Sequence, residues 1–166
     1  NIIVLNLLKK NRFEIITYLL WILSLLFIYF IGPYFIQGLD FSEGYILGGD
    51  SIRYTTAAKE IITGNFSNSY YASSYMGYNL FLALVLYFHA GLFSVVLLQI
   101  MITAIAAYCL LKIGEILWSQ NVGRLAQILF LFYLPIQIFN FYILTESIHI
   151  NLIIIDIENK MKADSL

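Results

Sequence analysis

Charge is scarce in this chain. Asp, Glu, Lys and Arg make up 11% of its 166 residues, against about 25% in an ordinary soluble domain. Hydrophobic residues reach 61%, so the composition predicts an integral membrane protein. Net charge is −1, which gives no electrostatic reason for a nucleic-acid partner. The single cysteine, Cys109, excludes an intrachain disulfide framework. With one cysteine and two histidines the chain is short of ligands for a zinc site, and no metal is expected. Neither the Walker loop nor the dinucleotide-binding glycine pattern occurs, so a soluble nucleotide cofactor is not expected.

What is present is a series of long uncharged runs. Residues 1–14 carry Lys9, Lys10, Arg12 and Glu14 among regularly spaced apolar residues, and predict a short interfacial helix. Ile15 to Leu39 is then free of charge. A bilayer core of about 30 Å needs about 20 helical residues. The run is too long for the core of a signal peptide, and no small-residue cleavage site follows. A retained first span is expected at about 15–37, with a kink or exit at Gly32-Pro33. Residues 38–92 form an outward loop with short interfacial helices. From Ile61 to Leu111 there is again no charge, too long for one span. Leu80 to Phe88 is too short to cross alone, and is broken at His89-Ala90-Gly91, so a half-buried or re-entrant piece is expected. Phe93 to Leu111 is the second span. The third, about 125–144, contains Pro135 and must kink there; Gln127, Gln137 and Asn140 can hydrogen-bond inside a bundle. An incomplete fourth begins near Glu146 and is interrupted by Asp156, Glu158, Lys160 and Lys162. The expected fold class is all-α: a polytopic transmembrane helix bundle forming a single membrane domain, 1–166.

Basic residues set the orientation. With the N-terminus in the cytoplasm, the inner segments hold Lys9, Lys10, Arg12, Lys112, Arg124, Lys160 and Lys162, and the outer loop only Arg53 and Lys59. A bacterial inner membrane is expected rather than the endoplasmic reticulum. Asn65-Phe66-Ser67 fits a glycosylation sequon, a weak pattern meaningful only in a eukaryotic secretory setting.

The outward loop carries the polar island of the chain. Asp50 and Ser51 read as a helix start, Ile52, Ala58, Ile61 and Ile62 as its apolar side, and Gly64 as its left-handed end. A carboxylate at a helix start is favoured by the dipole and free amides; Asp50 is a catalytic base, or a cap that ends a loop. Glu146 at the outer end of the third span is catalytic, or a solvated Glu. His149 lies three residues on and shares its helix face. Arg53 and Lys59 can meet a phosphate but, six apart, do not share a stripe; headgroup contact is the plainer role for Lys59. Tyr70, Tyr71, Tyr75 and Tyr78 form an interfacial belt.

The serial order of these features carries a resemblance. Asp50 is followed by Tyr54, Ala57-Ala58 and Gly64. Gly77-Tyr78 precedes Leu80-Phe81-Leu82-Ala83, and Gly91 closes that piece. Gln99 lies early in the second span, and Pro135 is followed by Leu144-Thr145-Glu146. Over roughly residues 10–150 this resembles the amino-terminal part of GT-C-fold membrane glycosyltransferases, of the protein O-mannosyltransferase and lipid A aminoarabinose transferase type. Met76 stands where the family usually has Pro before the Gly-Tyr pair. The resemblance implies an inverting transfer of a sugar from a polyprenyl phosphate to a protein, lipid or glycan hydroxyl at the extracytoplasmic face. It implies catalytic roles for Asp50 and Glu146. Substrate-binding residues are expected at Arg53, Tyr54, Tyr78 and His149. The donor is a lipid-linked sugar, and no cofactor is implied. The family has more spans than this chain, so the chain reads as an amino-terminal fragment, inactive without the rest. Two other classes stay open: a transporter or flippase of polyprenyl-linked sugars, and a non-catalytic membrane scaffold.

Overall fold

A computed structural model describes residues 11–36, 41, 43–65 and 75–164. The expected interfacial helix at 1–14 lies mostly outside them, as do Tyr70, Tyr71 and most of the sequon. Among the described residues seven helices follow in order: α1 (Arg12–Phe35), α2 (Gly49–Thr63), α3 (Met76–Tyr87), α4 (Gly91–Leu117), α5 (Gln120–Leu131), α6 (Leu134–Phe139) and α7 (Thr145–Asp164). Among the described residues there is no strand, only one isolated parallel bridge between Ile46 and Tyr142. Two helices, α1 and α4, are long and apolar enough to cross a membrane.

In α1 the charge-free run makes a helix of 24 residues. Thr17, Trp21, Leu25, Ile28 and Gly32 are buried, a stripe at helical spacing. Leu19, Leu23, Phe27 and Phe30 stay exposed on the other faces. Pro33 sits in the last turn, and the chain becomes extended at Ile36. The following loop is pinned to the start of α7: the Ile46 N–H donates to Phe141 O at 2.8 Å, and Ile143 N–H donates to Ile46 O at 3.3 Å. Phe41, Tyr29 and Phe141 stack there, with ring centroids 5.0–6.1 Å apart.

The uncharged stretch from Ile61 to Leu111 divides as expected. Helix α3 has 12 residues, about 18 Å. His89 (φ 55°) and Gly91 (φ 72°) turn the chain sharply into α4. That helix has 27 residues and outruns its expected limits of 93–111 at both ends. Its interior face mixes polar and small residues, Gln99, Thr103, Ala106, Ala107 and Gly114, with Val95, Val96, Cys109 and Leu111. Its outer face is large and apolar: Phe93, Leu97, Met101 and Ile105 are exposed.

The third expected span, 125–144, is not one kinked helix. The chain is helical to Leu131, breaks at Phe132-Tyr133, and resumes at Leu134. Pro135 lies in the first turn of α6, where its missing N–H has no helical acceptor to lose. The proline therefore starts a new helix instead of bending an old one. Helix α5 begins earlier than expected, because Ser119 caps it by accepting from the Val122 N–H. It packs on α4 through two glycines. A Cβ on Gly114 would lie 2.4 Å from Gly123 Cα, and one on Gly123 would lie 2.3 Å from Leu111 O. The backbones thus approach closer than any side chain allows.

The charges expected to interrupt the last apolar piece do not end it. Helix α7 runs 20 residues, to Asp164. Asp156 pairs with Lys160 at 2.6 Å and Glu158 with Lys162, each one turn on, so the charges support the helix.

Candidate functional site

The polar island is α2, but its details differ from the reading of the sequence. Gly48 precedes the first turn, and Asp50 is the second helical residue, not the cap. The cap contact is made by Ser51, whose hydroxyl accepts from the Gly48 N–H at 3.1 Å. Gly64 ends the helix at φ 73°, as expected. The buried side is Ser51, Tyr54, Thr55, Ala57 and Ala58, while Ile52 is exposed. Mixed polar and small residues thus face α3 and the start of α7, and Ala58 is the one residue of the expected apolar side that is fully buried.

This face orients the candidate residues. Asp50 and Arg53 are each about half-exposed and form an ion pair at 2.9 Å. Tyr54, one turn from Asp50, is buried. Its ring stands edge-on to Tyr75 and Tyr78, with centroids 5.2 and 5.4 Å away. Tyr78 is buried too, and its hydroxyl donates to Gln99 Oε1 at 3.2 Å. Burial pushes the Tyr54 phenol above its ordinary range; Thr145 opposes this, while Glu146 and Asp50 add to it. Burial, then Tyr54 and Glu146, raise Tyr78 further still. Both phenols therefore stay protonated, and Tyr54 feels both carboxylates.

Glu146 and His149 lie on the first two turns of α7, both exposed. Glu146 accepts a hydrogen bond from the Thr145 hydroxyl at 3.1 Å. Among the described residues it has no cationic partner. A groove of about 850 Å³ runs between the N-terminal ends of α3 and α7. Tyr75, Tyr78, Glu146 and His149 line its polar part, and Phe81, Ile102, Ile148 and Leu152 its apolar part. The structure thus brings together Glu146, His149 and Tyr78, with Tyr54 touching their wall. Asp50 and Arg53 do not line the groove. Lys59 is exposed two turns further along α2. A second pocket of about 410 Å³, at the α3–α4 elbow, is apolar apart from Ser94. Among the described residues no group of three His, Cys, Asp or Glu side chains gathers as a metal site.

A buried polar network behind the groove was only partly legible. Gln99 Nε2 donates to Asn140 O and Tyr142 O, both at 2.9 Å. Asn151 Nδ2 donates to Thr103 Oγ1 at 2.8 Å, and Thr103 donates to Asn140 Oδ1 at 2.7 Å. Gln137 accepts from Ser24 at 2.9 Å, and Gln127 donates to the Tyr18 hydroxyl at 3.1 Å. The available signal was the i,i+4 spacing of Gln99 with Thr103 and of Ser147 with Asn151 inside apolar runs. No protein-family model, curated protein or solved structure matches the chain.

Proposed function

We propose that this chain acts as a polytopic membrane glycosyltransferase that takes its sugar from a polyprenyl phosphate. The single observation that carries the reading is the groove: an unpaired carboxylate, an imidazole and a tyrosine wall lead directly into an apolar channel. A ligand with a polar head and an isoprenoid tail has that division of surface.

Membrane residence is supported by the outer face of α4. It exposes Phe93, Leu97, Met101 and Ile105, while Gln99, Thr103, Ala106 and Gly114 are buried among Val95, Val96 and Leu111. Lipid is as apolar as leucine, so helices meeting in it do so through small and hydrogen-bonding residues. In this reading α1, α4 and the broken α5–α6 pair cross; α7 has only nine uncharged residues, Ser147 to Ile155, before Asp156, and packs beside α4 without spanning. Helices α5 and α6 together have 18 residues, about 27 Å of helix. The charged ends of the crossing helices then share the cytoplasmic side, and the groove opens on the other.

The chemistry follows from the side chains. An acceptor hydroxyl attacks the sugar's anomeric carbon from one face as the bond to the phosphate oxygen breaks on the other, with inversion. The hydroxyl proton passes to a carboxylate as the new bond forms. The resemblance gives that part to Asp50. The groove gives it to Glu146, which lines it, whereas Asp50 is paired with Arg53 outside it. We assign the base to Glu146. The phosphate leaves with the bonding electron pair; Arg53, paired with Asp50 outside the groove, does not contact it. Tyr78 and His149 hydrogen-bond the sugar.

Photo-crosslinking tests the reading. A polyprenyl-phosphate sugar carrying a diazirine on its first isoprene units, added to the chain in lipid nanodiscs, should label 75–81 and 145–152. Labelling confined to other segments, or none above that of a sugar-free isoprenoid alcohol, would sink it.

A further inference from the structure

Behind Glu146 lies a second, much smaller space. It has a volume of about 10 Å³ and is lined by Ile136, Phe139, Asn140, Glu146, Ser147, Ile150 and Asn151. Glu146 therefore forms part of the wall between this space and the large groove. Asn140 and Asn151 are almost fully buried, at 1% and 2% exposure.

The hydrogen bonds here run in one direction. The Asn151 amide donates to Thr103, and Thr103 donates to Asn140 Oδ1. That direction fixes the orientation of both amides. It leaves one unused group at each end of the chain of bonds: a donor, Asn140 Nδ2, and an acceptor, Asn151 Oδ1. Neither has a protein partner. A buried donor or acceptor left bare is destabilising, because it has lost its water without gaining a partner.

We infer that the cavity between Asn140 and Asn151 is a binding site for one ordered water molecule, which backs Glu146 from inside the protein. A water accepts one hydrogen bond and donates two. It accepts from Asn140 Nδ2, donates to Asn151 Oδ1, and turns its second proton to the Glu146 carboxylate. This closes the Asn151–Thr103–Asn140 chain into a ring. The volume matches: about 10–15 Å³ is the threshold for a single water, and such waters make two to four hydrogen bonds. Glu146 is thus held by a neutral donor on its inner side, leaving its outer side to the groove. The site stands whatever reaction the groove carries.

The experiment uses the full chain, 15N-labelled at asparagine, in nanodiscs. The Asn140 side-chain amide is assigned by its disappearance in Asn140→Asp. Its protons should show direct cross-relaxation with a long-lived water in the wild type. Ser147→Val adds methyl groups on the wall of the cavity and should abolish that signal; Ser147→Ala, which adds none, should keep it. The wild-type spectrum decides even if the valine variant fails to fold. Asn140 amide protons without a water cross-peak, or a cross-peak that survives unchanged in folded Ser147→Val, would overturn the site.

Discussion

The two ends of the helix assembly treat their charges differently. Where α1 starts and α4 ends, charged groups have partners: Glu14 with Arg124 at 3.8 Å, Lys112 with Glu115 at 2.7 Å, and Glu158 with Lys162. Arg124 also lies 4.5 Å over the Phe13 ring. Close by, Gly114 and Gly123 bring two backbones into contact. That end is built for closure. At the other end Glu146 faces an open groove with only a hydroxyl partner, and tyrosines replace cations around it. Charge neutralised within the fold contributes to holding it together; charge left open toward a cavity is available to something else.

Substitutions should sort by end. On the proposed reading the largest effect is expected from Glu146→Gln: a loss of sugar transfer of about 10²–10⁴-fold, with kcat falling, while thermal unfolding moves little. Under the same assay Asp50→Asn, at an ion pair outside the groove, should leave kcat nearly unchanged. If Asp50→Asn abolishes kcat and Glu146→Gln does not, the base assignment reverts to Asp50.

The closed end should show the opposite split. Gly123→Ala forces a Cβ against the Leu111 carbonyl and should destabilise by about 1–3 kcal/mol or more, measured by denaturant unfolding in micelles. Labelling of the groove by the lipid-linked probe should persist in whatever fraction stays folded. Next in size is Tyr78→Phe, which removes the donor to Gln99 Oε1 and should cost roughly 1–3 kcal/mol by leaving that buried oxygen unpaired.

The smallest effect is a pH dependence. The folded pKa values of Tyr54 and Tyr78 lie above the ordinary phenol value. Their neutral forms are therefore favoured by folding. That contribution is complete below the unfolded value of about 10 and is lost as pH rises beyond it. Stability should fall more steeply above about pH 10 in the wild type than in Tyr54→Phe. Equal slopes would remove the tyrosines from the account.

Much of the helix layout was legible. The run from Ile15 to Leu39 had only one way to satisfy its backbone in an apolar setting, and Gly64 and Gly91 took the left-handed turns that glycine allows. Pro135 misled because a proline inside an apolar run reads equally as a kink or as a helix start; the break at Phe132-Tyr133 made it a start. The buried side of α2 was misread because Ile52 is apolar, while the neighbouring surface of α3 offered rings and polar groups to Tyr54 and Thr55 instead.

Composition and hydropathy alone indicated a helical chain with long apolar segments, the first and second expected spans among them, and placed Asp50 and Glu146 outside those two. Hydropathy is a local property, so it needs no fold to be read. Which carboxylate faces the groove, and which polar side chains meet inside the bundle, do not follow from the sequence alone: Thr103 meets Asn140 across 37 positions, and Ser24 meets Gln137 across 113. Only packing brings such residues together, because each hydrogen bond across that separation exists only once the intervening helices have settled against one another.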